Sequence, residues 1–94
     1  MKTYLIGYDL NKPEANYPKL IENIKKIANK TWWHHLDSTW IIKSNRSTES
    51  ILNELKASID NDDELLVVRL NGEGSWTGFT KKGSDWLKNN LTLN

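Results

Sequence analysis

Hydrophobic and polar positions alternate from the start of the chain. Over residues 2–10, Tyr4, Ile6, Tyr8 and Leu10 alternate with Leu5, Gly7 and Asp9, which predicts a strand with apolar groups on both faces. Asn11-Lys12-Pro13-Glu14 breaks it, because proline restricts itself and the residue before it. From Tyr17 the apolar positions Leu20, Ile21, Ile24, Ile27 and Ala28 recur at helical spacing, with Lys19, Lys25, Lys26 and Lys30 mostly on the solvated side. A strand through Trp32-Trp33-His34-His35-Leu36, turn chemistry at Asp37-Ser38, and the β-rich run Thr39-Trp40-Ile41-Ile42-Lys43 predict a hairpin.

Beyond a polar break at 44–46, Ser47 suits an N-cap and opens a helix with Ile51, Leu52, Leu55 and Ile59 on one stripe. The acidic loop Asp60–Glu64 leads into Leu65-Leu66-Val67-Val68-Arg69-Leu70, the clearest strand of the chain. Glycines 72, 74, 78 and 83 frame 75–79 as a short strand or irregular crossing segment, and Ser84-Asp85-Trp86-Leu87 is expected to cap a last short helix. The order β-α-β-β-α-β is the ferredoxin-like pattern of the α+β class, an antiparallel sheet with both helices on one face. One domain is expected over 1–94, its core at about 2–70 and a C-terminal strand/helix appendage at about 71–94.

The second face of that sheet needs a cover. Leu5 lies opposite Ile6, Ile41 opposite Ile42 and Val67 opposite Val68, whereas strands buried on one side alternate apolar with polar. The C-terminal segment or a second copy of the chain would serve, and a homodimer is the favoured expectation.

Composition narrows the chemistry. The 94 residues contain no cysteine, which excludes disulfides, thiol nucleophiles and Cys-ligated zinc. The only histidines are the adjacent His34 and His35, so a His-rich metal cage is excluded as well. No apolar run approaches the ~20 residues of a membrane helix, and the first apolar stretch is too short for a secretion signal. A cytoplasmic protein without membrane partners is therefore expected. Net charge is +1, but residues 1–56 hold nine bases and six acids while 57–94 hold four and six. Only Arg46 and Arg69 are arginines, which argues against sequence-specific base readout. Five tryptophans in so short a chain are the strongest compositional oddity, and some of them must be core.

The expected topology collects Asp9, Asn11, Lys12, His35, Asp37, Ser38 and the acidic loop at one end, with Lys43, Arg46 and Arg69 at the other. Asp9, ending a strand, is the candidate catalytic carboxylate and metal ligand; magnesium needs only one or two carboxylates plus water or phosphate. It equally suits capping the following loop. On the hairpin, Trp32 and His34 share one face while Trp33, His35 and Asp37 share the other. A His–Asp pair on one face can hold a metal, with Asp37 as its carboxylate, or act as a base. Trp33, His35, Trp40 and Trp76 equally suit a core or a subunit interface. Lys43, Arg46 and the Ser47-capped helix start form an anion-friendly corner, and Lys12 and Ser38 are candidates for steering phosphate. Gly72–Gly78 lacks the lysine and spacing of a phosphate loop.

The run Tyr4-Leu5-Ile6-Gly7-Tyr8-Asp9-Leu10, then a helix, then Ser38-Thr39-Trp40-Ile41-Ile42, resembles the small CRISPR-associated Cas-two superfamily, which includes the VapD toxins and SinR-like proteins. Leu36-Asp37-Ser38-Thr39-Trp40 and Gly83-Ser84-Asp85-Trp86-Leu87-Lys88 are most similar to the SinR-like branch. The resemblance covers about residues 3–70. It implies a ferredoxin-like homodimer with Asp9 near the axis, where nuclease members hold a divalent metal (Mg2+ or Mn2+) for phosphodiester cleavage. In the CRISPR adaptation complex the dimer instead bridges integrase subunits and supports DNA on basic residues. Here Asn11-Lys12-Pro13 follows Asp9 in place of arginine, which leaves phosphate stabilisation to lysine.

Three functions follow. The favoured one is a dimeric, noncatalytic nucleic-acid-associated or scaffold protein of a defence or toxin–antitoxin type system, with itself, DNA or RNA, or another protein as partner. The alternatives are a metal-dependent endonuclease using Asp9, and a small-ligand or nucleotide binder with a Trp-lined pocket at the dimer interface.

Overall fold

Alternation in the first residues does produce a strand, β1 (Lys2–Asp9), and the computed structural model, which describes residues 1–91, places it in the middle of the sheet. A single 3-10 turn (Glu14–Asn16) leads into α1 (Pro18–Ile27), with Pro18 in the first turn, where its missing N–H costs no helical hydrogen bond. The hairpin follows as β2 (Trp32–Leu36) and β3 (Thr39–Ser44), then α2 (Thr48–Lys56), β4 (Glu64–Leu70) and α3 (Lys81–Asn90). Ser47 caps α2 as expected, its hydroxyl accepting from the Ser50 N–H at 3.1 Å.

The four strands form one antiparallel sheet in the order β2-β3-β1-β4, compatible with a ferredoxin-like fold. β1 pairs with β3 from Lys2↔Ser44 to Gly7↔Thr39 and with β4 from Thr3↔Leu70 to Asp9↔Glu64. Tyr4, Ile6, Tyr8, Trp40 and Ile42 point from one face into a core completed by Leu20, Ile24 and Ile27 of α1 and Ile51 and Leu55 of α2. Among the described residues, no helix is long and apolar enough to cross a membrane.

The opposite face is covered in part by the C-terminal segment. Trp33, Ile41 and Leu87 form a second buried cluster, against which Leu70, Trp76, Phe79, Trp86 and Leu91 pack. The segment is latched at one end of the sheet, where the Asn90 carbonyl accepts from Thr3 Oγ1 (2.8 Å) and Lys43 Nζ (3.2 Å). It reaches only Leu70 at the end of β4, an edge strand on which Leu66 is 55% and Val68 36% exposed.

Of the two sequence readings of 75–79 the structure shows the irregular one, and the expected helix start is corrected. Residues 75–79 contain no strand and cross irregularly. The last helix starts earlier than Ser84: Thr80 is its cap, its hydroxyl accepting from the Gly83 N–H at 3.1 Å. A satisfied cap outweighs the weak helix propensity of Gly83, which lies in the first turn and faces the His35 ring.

Candidate functional site

Strand pairing brings Asp9 opposite Glu64 at the open end of β1 and β4. Residues directly opposite on antiparallel strands have Cβ atoms about 5 Å apart, and like charges there repel. The two acids share a shallow depression with Gly7, Tyr8, Leu65 and Leu66. Both belong to the sheet face opposite the helices, because they continue the alternation of Leu5 and Gly7 and of Leu66 and Val68. Sequence reasoning puts Glu64 in the acidic loop at the same end as Asp9 without singling it out. Only the register reveals it as the partner of Asp9.

The acidic loop itself is stapled. Asp63 accepts from the backbone N–H groups of Asn11 (2.9 Å) and Asp60 (2.8 Å) and from the Tyr17 hydroxyl (3.1 Å). Partial desolvation opposes its ionisation, but these donors and the nearby Lys12 charge prevail and hold the carboxyl below its ordinary range. Burial and the Asp63 acceptor push the Tyr17 phenol up to about 12. Lys12 sits 3.8 Å from Asp60 in an exposed ion pair. Asp60, Asp62 and Asp63 are the one group of three potential ligating residues among the described residues, their oxygens within 4.8 Å of one another. Neither Asp9 nor Asp37 belongs to it. The hydrogen bonds of Asp63 account for this cluster as a loop fastening.

At the hairpin, Ser38 lies in the left-handed region (φ 62°), and its carbonyl accepts from the Tyr8 N–H at 3.1 Å. The turn is thus tied to β1 through its backbone. Asp37 is exposed at the same end, and its charge is one of the influences that raise the Tyr8 phenol.

The helix-side face carries a polar–aromatic chain that starts inside the core. Trp40 Nε1 donates to the Tyr8 hydroxyl at 2.9 Å, and that hydroxyl donates to Glu14. The His34 imidazole lies flat on Trp40, with centroids 3.9 Å apart and planes within 7°. Its Nδ1 is 3.0 Å from the Thr39 carbonyl and its Nε2 is 3.7 Å from Glu14. Burial first, then the Glu14 acceptor, raises the Tyr8 phenol well above its ordinary value; the Trp40 donor offsets part of this. The 3-10 turn delivers Glu14, so neither it nor Tyr8 was marked as functional by residue spacing. Trp32 is 37% exposed at the edge of this face, with Lys25 Nζ 5.5 Å above its ring.

Trp33 and His35 occupy the other face, as strand alternation requires. Their rings are 5.2 Å apart, and Phe79 meets Trp33 edge-on at 5.0 Å. Trp76 lies in the same region, its indole donating to Ser84 Oγ at 3.2 Å. Trp40, by contrast, is on the helix side, so the four proposed interface aromatics fall on two faces.

At the far end, the two proposed anion-binding cations have partners within the chain. Lys43 is buried, with its ammonium on the Asn90 carbonyl. The Arg46 guanidinium reaches Glu54 Oε1 at 2.7 Å and Ser50, while its own carbonyl accepts from Tyr4. This end therefore sits apart from Asp9, Asp37, Ser38 and Lys12. No protein-family model matches the chain, and comparisons with curated proteins and with solved structures give no significant match.

Proposed function

We propose that the chain is a small self-associating module, a scaffold that contacts nucleic acid without turning it over, in the manner of the Cas-two-like proteins it resembles. The observation that carries this reading is the exposed Leu66–Val68 strip on edge strand β4. An uncovered apolar edge strand invites pairing with another chain, and natural proteins otherwise blunt such edges. Arg69 lies on the alternate face of this strand, and the charges on the strip's own face, Glu64 and Asp9, stand at its end beyond Leu66.

The surface proposed for nucleic acid is α1 and the start of β2. Lys25 stands over the Trp32 ring, which pairs a cation for phosphate with an aromatic face for a base, and Lys26 and Lys30 are exposed as well. Lys43 and Arg46 serve this role less well, being held by Asn90 and Glu54.

Light scattering with a labelled single-stranded oligonucleotide titration tests the proposal. Twice the 10.9 kDa chain mass is expected for the wild type, and a single chain mass for Val68→Lys with an unchanged far-ultraviolet spectrum. Affinity for the oligonucleotide should fall at least tenfold between about 50 and 200 mM salt. A monomeric wild type overturns the self-association, and salt-insensitive or absent binding overturns the nucleic-acid role.

A second reading, the divalent-metal endonuclease, draws on the facing carboxylates of Asp9 and Glu64. Two adjacent acids fit the oxygen preference of Mg2+ or Mn2+. Calorimetry with Mn2+ should then give binding in the wild type that Asp9→Asn abolishes. Equal heats from both proteins would remove this mechanism.

A further inference from the structure

Gly7 lies in the central strand of the sheet, and nothing inside the chain requires a glycine there. Its backbone is not left-handed, and an added Cβ would meet only Leu5 Cδ2 at 3.6 Å and the Ser38 carbonyl at 3.9 Å, both ordinary contacts. Glycine weakens a strand interior, and its use there often marks a place where another backbone approaches closely. The surface around this notch is apolar. Gly7 pairs with Leu66 and Leu5 with Val68, and both β4 side chains are exposed. The two faces of the sheet are also covered unequally. α1 and α2 pack together on one, whereas the C-terminal segment covers Trp33 and Ile41 on the other and touches β4 only at Leu70. The open strip over β1 and β4 is two strands wide, roughly 10 Å at about 4.8 Å per strand, which is the width of one helix. The charged residues lining the two depressions of this face are acids, Asp9 and Glu64 at one end and Glu73 at the other. Lys43 belongs to the same face but is buried, with its ammonium on the Asn90 carbonyl.

We propose that a basic amphipathic helix of another protein docks on this face, its apolar stripe over Gly7, Leu66 and Val68 and its lysines or arginines at Asp9, Glu64 and Glu73. The notch lets the helix backbone come close to the sheet, and the acidic rim selects the charge of the partner. A second copy of this chain fits less well. Packed face to face in either strand direction, two such surfaces bring acid against acid, and like charges repel. The main-chain groups that pair an edge strand lie in the plane of the sheet, so docking on the face goes beyond the edge pairing proposed above and does not compete with it.

Calorimetry tests it with a synthetic Leu/Lys peptide of about 14 residues, its leucines at helical spacing. The controls are the Leu/Glu counterpart and a Leu/Lys peptide of the same composition in scrambled order. The wild type should bind the first peptide saturably, one per chain, and about tenfold or more tighter than either control. Gly7→Val fills the notch and should lower that affinity about tenfold or more, with a urea midpoint no lower than that of the wild type, because valine favours a strand. Glu64→Lys, at an exposed position, should lower it to a similar extent and decides the matter alone if Gly7→Val does not fold. Wild-type affinity in these variants, or equal binding of the first peptide and either control, overturns the proposal. Light scattering of the same samples separates the occupants. A Gly7→Val protein that falls from twice the chain mass to a single chain mass puts a second copy on this face and overturns the proposal as well. A wild type of single chain mass that binds the Leu/Lys peptide supports it and overturns the self-association alone.

Discussion

Tyr8 and Trp40 are joined across the β1–β3 pair by a hydrogen bond from the indole Nε1 to the phenol oxygen, 2.9 Å long and buried. The same hydroxyl donates outward to Glu14, so a core aromatic is linked to a carboxylate at the surface. Because Glu14 also approaches His34, which stacks on Trp40, the chain closes into a ring of four side chains. Such networks fix one arrangement of a core when every member is satisfied.

Removing the shared hydroxyl should expose the strength of that network. Tyr8→Phe keeps the ring but strands the Trp40 N–H inside the core. A loss of about 1–3 kcal/mol is expected from urea denaturation followed by tryptophan fluorescence. A loss below about 0.5 kcal/mol would mean that the indole finds another partner.

Alkaline titration should separate these tyrosines from an ordinary phenol. Tyr17 is pushed up to about 12, chiefly by burial and its bond to Asp63, and Tyr8 is raised as well. A raised phenol contributes stability below the ordinary value of 10.0, and that contribution is lost as pH climbs through the folded-state value. Absorbance at 295 nm should therefore show less tyrosinate in the folded protein than in urea at about pH 11. Identical curves would contradict the placement of both hydroxyls.

Acid should loosen the 60–64 loop before the rest. The Asp63 carboxyl is held below 3.8, so its contribution is complete above that value and lost as pH falls through the folded-state value. Asp63→Ala should raise amide exchange at Asn11 and Asp60 about tenfold or more near neutral pH and flatten the acid response of that loop. Unchanged exchange at both amides would contradict the staple.

Much of the fold was legible because periodicity is local. The alternation at Tyr4–Ile6–Tyr8, the helical spacing of Leu20–Ile24–Ile27 and the Ser47 cap all became the elements they predicted. The start of α3 was misread because a glycine was weighed as a breaker while Thr80, three residues before it, supplied the cap. Side-chain partnerships were the harder part. Lys43 and Arg46 look like free cations in a sequence, and only the packed structure gives them Asn90 and Glu54. Glu64 meets Asp9 across 55 residues (64 − 9) because β4 adds to β1 in one register out of many. A single strand pattern carries no record of that register.

The central position of β1 also sets a timetable for synthesis. It is the first strand to be made, yet it needs β3 on one side and β4 on the other. The ladder from Thr3↔Leu70 to Asp9↔Glu64 joins residues about sixty apart, which at translation rates of roughly 5–20 residues per second leaves one edge of β1 waiting for several seconds. Throughout that interval Leu5 and Ile6 belong to a half-built sheet, open to strands of other nascent chains. Slower translation between residues 44 and 64 should therefore lower the yield of native protein more than the same delay after residue 70.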